Sequence, residues 1–114
     1  MEDCVFCRIV AGEIPGDVVY RDNDVVAFRD INPQAPVHVV VVPRKHIASL
    51  NQFLEFDRDL LGKMMLAGKL VAKTEKVSEN GYRLVMNCGP DGGQVVSHAH
   101  LHVLGGRRLS DEMG

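Results

Sequence analysis

The sequence predicts an α+β fold in which one five-stranded antiparallel sheet carries one long and one short helix. Three observations predict it. Short β-branched and apolar runs recur along the chain, mostly joined by hairpin-length turns. One long segment, 57–78, instead repeats its apolar residues at helical spacing. No alternation of strands and helices supplies the βαβ units of a parallel sheet.

Taken in order, residues 4–11 place Val5, Ile9 and Val10 at helical spacing, and Gly12 follows at the position of a helix-ending residue. This is the short helix. Residues 17–21 and 25–30 flank the turn cluster Asp22-Asn23-Asp24 and read as a β-hairpin. Pro33 and Pro36 bracket a loop. The apolar run 37–42 then reads as a strand buried on both faces and stopped by Pro43. The long helix, 57–78, presents Leu60, Leu61, Met64, Met65, Ala67, Gly68, Val71 and Thr74 on one broad face. Asp57 is placed to cap its start and Asn80-Gly81 to end it. Uninterrupted, it would run about 33 Å. Gly62 and Gly68 cost it about 1 kcal/mol each against alanine where exposed, so close packing on the sheet is the expected reason for both. Residues 82–88 form a fourth strand and 95–104 a fifth, joined through Gly89-Pro90-Asp91-Gly92-Gly93. With no repeat or linker to divide it, residues 1–114 read as one domain.

The counts narrow the function. Of 114 residues, 46% are hydrophobic and 25% charged, an ordinary globular composition. Lys+Arg 13 against Asp+Glu 15 gives a net charge of −2, without the basic footprint of a general nucleic-acid binder. No Trp, two Tyr and four Phe leave little for stacking along a strand of bases. No apolar run approaches the roughly 20 residues of a membrane span. Met1-Glu2-Asp3 begins acidic, unlike a signal peptide, so the expected compartment is the cytoplasm.

Five His and three Cys remain, and they cluster. His98-Ala99-His100-Leu101-His102-Val103-Leu104 alternates polar with apolar, so in a strand all three imidazoles share one face, about 7 Å apart per step. A polar sheet face that merely happens to be His-rich, or a chance metal strip, is the alternative. Imidazole is, however, the usual general base and a nucleophile near neutral pH. The preceding Asp91-Gly92-Gly93-Gln94-Val95 can turn backbone N–H groups inward as a nest for phosphate.

That strand resembles the histidine-triad motif, His-φ-His-φ-His-φ-φ, of the HIT superfamily of nucleotide hydrolases and transferases. The resemblance extends to Asp30-Ile31-Asn32-Pro33-Gln34-Ala35-Pro36-Val37-His38, to Val42-Pro43-Arg44-Lys45-His46-Ile47, to residues 87–94 and to Leu104-Gly105-Gly106-Arg107. These blocks look like the Hint branch. The resemblance implies a homodimer whose two sheets join into one, with a purine nucleotide site in each protomer. His100 would attack the α-phosphorus and form a nucleotidyl-histidine that water then hydrolyses. His102, Gln94, Asn87 and the Gly93 and Val95 backbone would hold the phosphate, with His38 supporting the network. Asp30 would bind the ribose, and Phe6, Ile14, Phe28 and Ile31 would surround the base. Without the resemblance, Phe6, Ile14 and Phe28 read as plain core and His38 as a satisfied core histidine. Val95 stands where many Hint-branch members carry Ser or Thr, and the chain lacks their Trp-Pro-Pro-Gly ending.

The implied reaction is hydrolysis of AMP or GMP phosphoramidates. The alternatives are dinucleoside polyphosphate hydrolysis, another nucleotidyl transfer by the same His100, or a nucleotide-binding adaptor with incidental turnover. No redox cofactor is implied, and the chemistry itself calls for no metal. Cys4-x-x-Cys7 is open to three readings: a redox pair, a labile disulfide or half of a zinc site. Zinc would need two more ligands, and His46 and His98 are the candidates, as in some HIT proteins with an N-terminal Cys-x-x-Cys. A Cys₂His₂ set suits a closed structural zinc.

Overall fold

β-branched residues favour a pleated, half-buried surface, and here they build a sheet from both ends of the chain. The computed structural model describes residues 4–113, so the acidic start Met1-Glu2-Asp3 lies outside the described residues. The elements are α1 (Val5–Val10), β1 (Val18–Arg21), β2 (Val25–Arg29), β3 (Val37–Pro43), α2 (Arg58–Thr74), β4 (Tyr82–Val85) and β5 (Leu101–Gly105). Two 3₁₀ turns, Leu50–Gln52 and Glu55–Asp57, precede α2 and were not foreseen in the sequence. The five strands run in the order β1-β2-β3-β5-β4, and every neighbouring pair is antiparallel.

The pleat sorts β3 onto two cores. Val39 and Val41 join Val25, Ala27, Leu101 and Val103 beneath Met64, Ala67 and Val71 of α2. Val40 and Val42 join Val26 and Phe28 on the opposite face, under Phe6, Ile9 and Val10 of α1. This is the strand buried on both faces that the run of valines predicts.

Several boundaries differ from the sequence expectation. The long helix ends at Thr74, four residues early, because Lys76 adopts a left-handed conformation (φ 64°). Val77 N–H then bonds Ala72 O at 2.9 Å and Lys76 N–H bonds Lys73 O at 3.1 Å, a Schellman ending that needs neither Asn80 nor Gly81. Gly12 (φ 78°) ends α1 as expected, with Glu13 N–H on Arg8 O at 2.9 Å. Asp57 stands at the start of α2 but its carboxylate faces backwards, accepting from Leu54 N–H and from Lys45 Nζ, both at 2.9 Å. Of the two helix glycines, only Gly68 is packed tightly: a Cβ there would lie 3.1 Å from Leu101 Cδ2, whereas one at Gly62 meets nothing. β4 stops at Val85 rather than residue 88. β5 starts at Leu101, so residues 95–100 are irregular chain instead of strand.

Candidate active site and metal centre

β3 and β5 pair with Val40 opposite His102 and His38 opposite Leu104. Alternation therefore puts both imidazoles on the α1 face of the sheet. Gln34 N–H donates to His38 Nδ1 at 3.0 Å, so that nitrogen holds a lone pair and His38 carries its proton on Nε2. His38 Nε2–H then donates to His102 Nδ1 at 2.8 Å, which leaves the His102 proton on Nε2. His100 is set the other way. Its Nδ1–H donates to the main-chain oxygen of His98 at 2.7 Å, and a carbonyl can only accept, so the lone pair of His100 sits on Nε2. The rings of His100 and His102 lie 4.8 Å apart, one with a lone pair on Nε2 and the other with an N–H there. Burial first, then the positive charge of neighbouring His100 and His38, pulls His102 down to about 4. His38 and His100 are also lowered, chiefly by burial. All three are neutral near pH 7.

These rings line a cavity of about 600 Å³. Phe6, Phe28, Asp30, Ile31, Asn87, Gly93 and Val95 also line it, so the structure gathers most of the predicted nucleotide residues around one space. Ile14 is half-buried, and Pro15 and Gly16 beside it form the wall instead. Asp30 Oδ1 accepts from Asn32 N–H at 2.8 Å, and Oδ2 lies 3.5 Å from His38 Nε2.

The glycine loop differs from the expected phosphate nest. Gly93 N–H bonds Pro90 O and Gln94 N–H bonds Gly89 O, each at 3.0 Å, which closes the loop on itself. The Gln94 side chain is equally committed: Oε1 accepts from Gly89 N–H, and Nε2 donates to Ala48 O and Val96 O. Both amide hydrogens are used in bracing the loop. Asn87 bonds Gly92 O at 2.7 Å and keeps its second amide hydrogen. The loop is this tight because Gly92 lies against Cys88 O with no room for a Cβ.

His98 departs from its two companions. It is fully buried, and its Nε2–H donates to Pro43 O at 2.9 Å. That leaves the Nδ1 lone pair facing Cys4 Sγ (3.3 Å), Cys7 Sγ (3.5 Å) and His46 Nδ1 (3.2 Å). Cys7 Sγ lies 3.2 Å from His46 Nδ1. All four ligand atoms fall within 4.8 Å of one another and could hold a metal ion. Around a tetrahedral zinc, bonds of about 2.0–2.3 Å put neighbouring ligand atoms about 3.3–3.8 Å apart, close to these edges. Burial and the adjacent Cys4 thiol push the Cys7 thiol up to about 11, which a coordinated divalent cation would reverse. Asp30, His38 and His102 form a second compact group, but 2.8 Å between its ring nitrogens is a hydrogen bond, and His38 Nε2 already holds a proton. Only the Cys/His cluster has the geometry of a metal centre among the described residues.

The sequence profile of the HIT domain matches residues 11–109. The chain belongs to the HIT domain family. It is 44% identical over 108 residues to the purine nucleoside phosphoramidase of Escherichia coli K12, covering 95% of this chain and 91% of that protein. A HIT family hydrolase from Legionella pneumophila superimposes with a TM-score of 0.95 at 48% identity, covering 98% of this chain and all (100%) of that one. A Zn-bound histidine triad family protein from Mycobacterium smegmatis has a TM-score of 0.83 at 29% identity, over 99% of this chain and 81% of that one. With these relatives, the chain is a HIT family hydrolase, and its Cys/His group could hold a metal ion. Three contributors to this HIT site escape sequence reasoning: Gln34 N–H, Pro43 O and the main-chain oxygen of His98. Each sets an imidazole tautomer through a backbone atom, which carries no residue-type signal.

Proposed function

We propose that this HIT hydrolase cleaves purine nucleoside phosphoramidates, AMP or GMP joined to an amine through a P–N bond, by way of a nucleotidyl-histidine at His100. The observation that carries the reading is the tautomer of His100: its Nδ1–H is tied to the backbone at 2.7 Å, so a neutral, nucleophilic Nε2 faces the reaction. Nε2 bonds to the α-phosphorus as the bond to the amine nitrogen breaks, and the amine leaves with a proton. Water then adds to phosphorus, the P–Nε2 bond breaks, and nucleoside monophosphate departs. His102 Nε2–H and the second Asn87 amide hydrogen supply donors for the phosphoryl oxygens, together with Val95 N–H. Asp30 keeps lone pairs for the ribose hydroxyls, and Phe6, Phe28 and Ile31 offer apolar surface to the base. The activity named for the E. coli relative supports the same substrate class.

We further assign the Cys4, Cys7, His46 and His98 cluster to zinc, in a structural role that joins α1 to the chain around the nucleophile. A reducing cytoplasm suits it, since both thiols persist there as ligands. Two copies pair in this reading, through edge strand β4 and the Met65, Leu66 and Leu70 side chains that α2 leaves exposed.

The test is steady-state hydrolysis of an AMP–amine phosphoramidate against a diadenosine polyphosphate, with wild type and His100→Asn. The wild type should prefer the phosphoramidate, and His100→Asn should lose on the order of 10⁶-fold in turnover while still binding AMP. Undiminished turnover by His100→Asn overturns the mechanism. Preference for the polyphosphate overturns the substrate.

A further inference from the structure

We infer that the cluster of Cys4, Cys7, His46 and His98 is a positioning device for the nucleophile, setting nucleotide affinity and turnover as well as holding α1. The inference rests on His100 being that nucleophile.

Two routes lead from the cluster to the cavity. The first runs through His98. Its ring is held at both ends, Nε2–H on Pro43 O at 2.9 Å and Nδ1 within 3.2–3.5 Å of Cys4, Cys7 and His46. The main-chain oxygen of the same residue accepts His100 Nδ1–H at 2.7 Å, so whatever fixes His98 fixes the hydrogen bond that aims Nε2 of His100. No strand ladder does this instead, because residues 95–100 precede β5. One backbone bond ties the segment across, Ala99 N–H to Ile47 O at 2.7 Å. Ile47 directly follows His46, so the cluster and that bond stitch the same two stretches of chain together.

The second route runs through Phe6, which lies between Cys4 and Cys7 in α1. Its ring stands edge-on to His100 at 5.0 Å and to Phe28 at 5.4 Å, forming cavity wall and nucleophile support at once. α1 has six residues and none is fully buried. A helix that short gains little from its own hydrogen bonds, so its seat depends on side-chain contacts, those of the Cys7 thiol and of Cys4 at its start among them.

The experiment compares metal-loaded wild type, chelator-stripped wild type, His46→Ala and His46→Cys. His46 takes no part in the cavity wall, and His46→Cys keeps four ligands. Three readouts are taken on each: AMP affinity by calorimetry, kcat and KM on the phosphoramidate, and the His100 Nδ1–H resonance in ¹⁵N-histidine NMR, assigned by its absence in His100→Asn. Stripped protein and His46→Ala should keep the sheet signal in circular dichroism yet bind AMP about tenfold more weakly. Their kcat should fall about 10–100-fold and the His100 resonance should broaden or shift. Readded zinc, or the cysteine variant, should recover both affinity and resonance. Folded stripped protein with unchanged AMP affinity and an unchanged His100 resonance overturns the inference. Loss of the sheet signal on stripping also overturns it, since the cluster then holds the fold rather than the nucleophile. Failure of loaded wild type to cleave the phosphoramidate defeats the functional reading alone, because AMP affinity and the His100 resonance still decide the positioning role.

Discussion

His102 shows how one residue's environment decides its chemistry. Desolvation holds its imidazole neutral in the folded chain down to about pH 4, while an exposed histidine protonates near 6.5. Between those values the unfolded chain binds the extra proton, so stability falls as pH drops from about 6.5 towards 4 and is unaffected by this group above that window. The urea midpoint should therefore decline from pH 7 to pH 5, and His102→Asn should flatten the decline; an equally steep fall in that variant would assign the effect to other groups. Neutral His102 also lets Nε2–H serve as a donor, which His38 enforces by occupying Nδ1. Replacing His38 by Ala should raise KM and lower kcat together, because His102 Nδ1 then loses its only donor among the described residues.

At the scale of elements, α2 contrasts two glycines that look alike in the sequence. Gly68 lies over β5 and β4, where its missing side chain admits Leu101 and Leu84, whereas Gly62 faces open space. Gly62→Ala should stabilise the protein by about 0.5–1 kcal/mol through helix propensity alone. Gly68→Val should destabilise it by about 1–3 kcal/mol by forcing the helix from the sheet. Thermal unfolding of both variants checks the pair. Helical periodicity located α2 but not its end, because the chain turns at Lys76, a residue type that rarely takes a left-handed conformation. The third-to-fifth strand pairing was likewise invisible locally: β3 lies beside β5, with α2 and β4 intervening in the sequence.

Across the whole molecule, the fold brings residues from the first helix, the middle and the C-terminal third to one cavity and one Cys/His cluster. Elemental analysis of protein purified without added metal should find about one zinc per chain. Its removal should lower the melting temperature, as loss of any ligand bound only to the folded state does. Sedimentation should show two copies, and Leu66→Glu with Leu70→Glu should shift the protein to one, since a charge buried in a pairing face is costly. Retention of the pair in that double variant would place the interface elsewhere.

The sequence by itself determined the antiparallel α+β class, the doubly buried valine strand and the gathering of imidazoles, because alternation and turn chemistry are local properties of the chain. It nominated His100, His38 and the Cys/His quartet through a family pattern. Only the tertiary structure decided which of their atoms are taken by partners and which stay free. The Gln94 amide, expected at the phosphate, bonds Ala48, Val96 and Gly89 in this structure, and Gly93 N–H closes its own turn. His98 left the cavity for the thiols, while His100 and His102 acquired opposite tautomers, the first from the main-chain oxygen of His98 two residues before it and the second from the His38 side chain on another strand. A residue type states which protons and lone pairs are available. Which of them remain free depends on partners that meet only when the chain has folded.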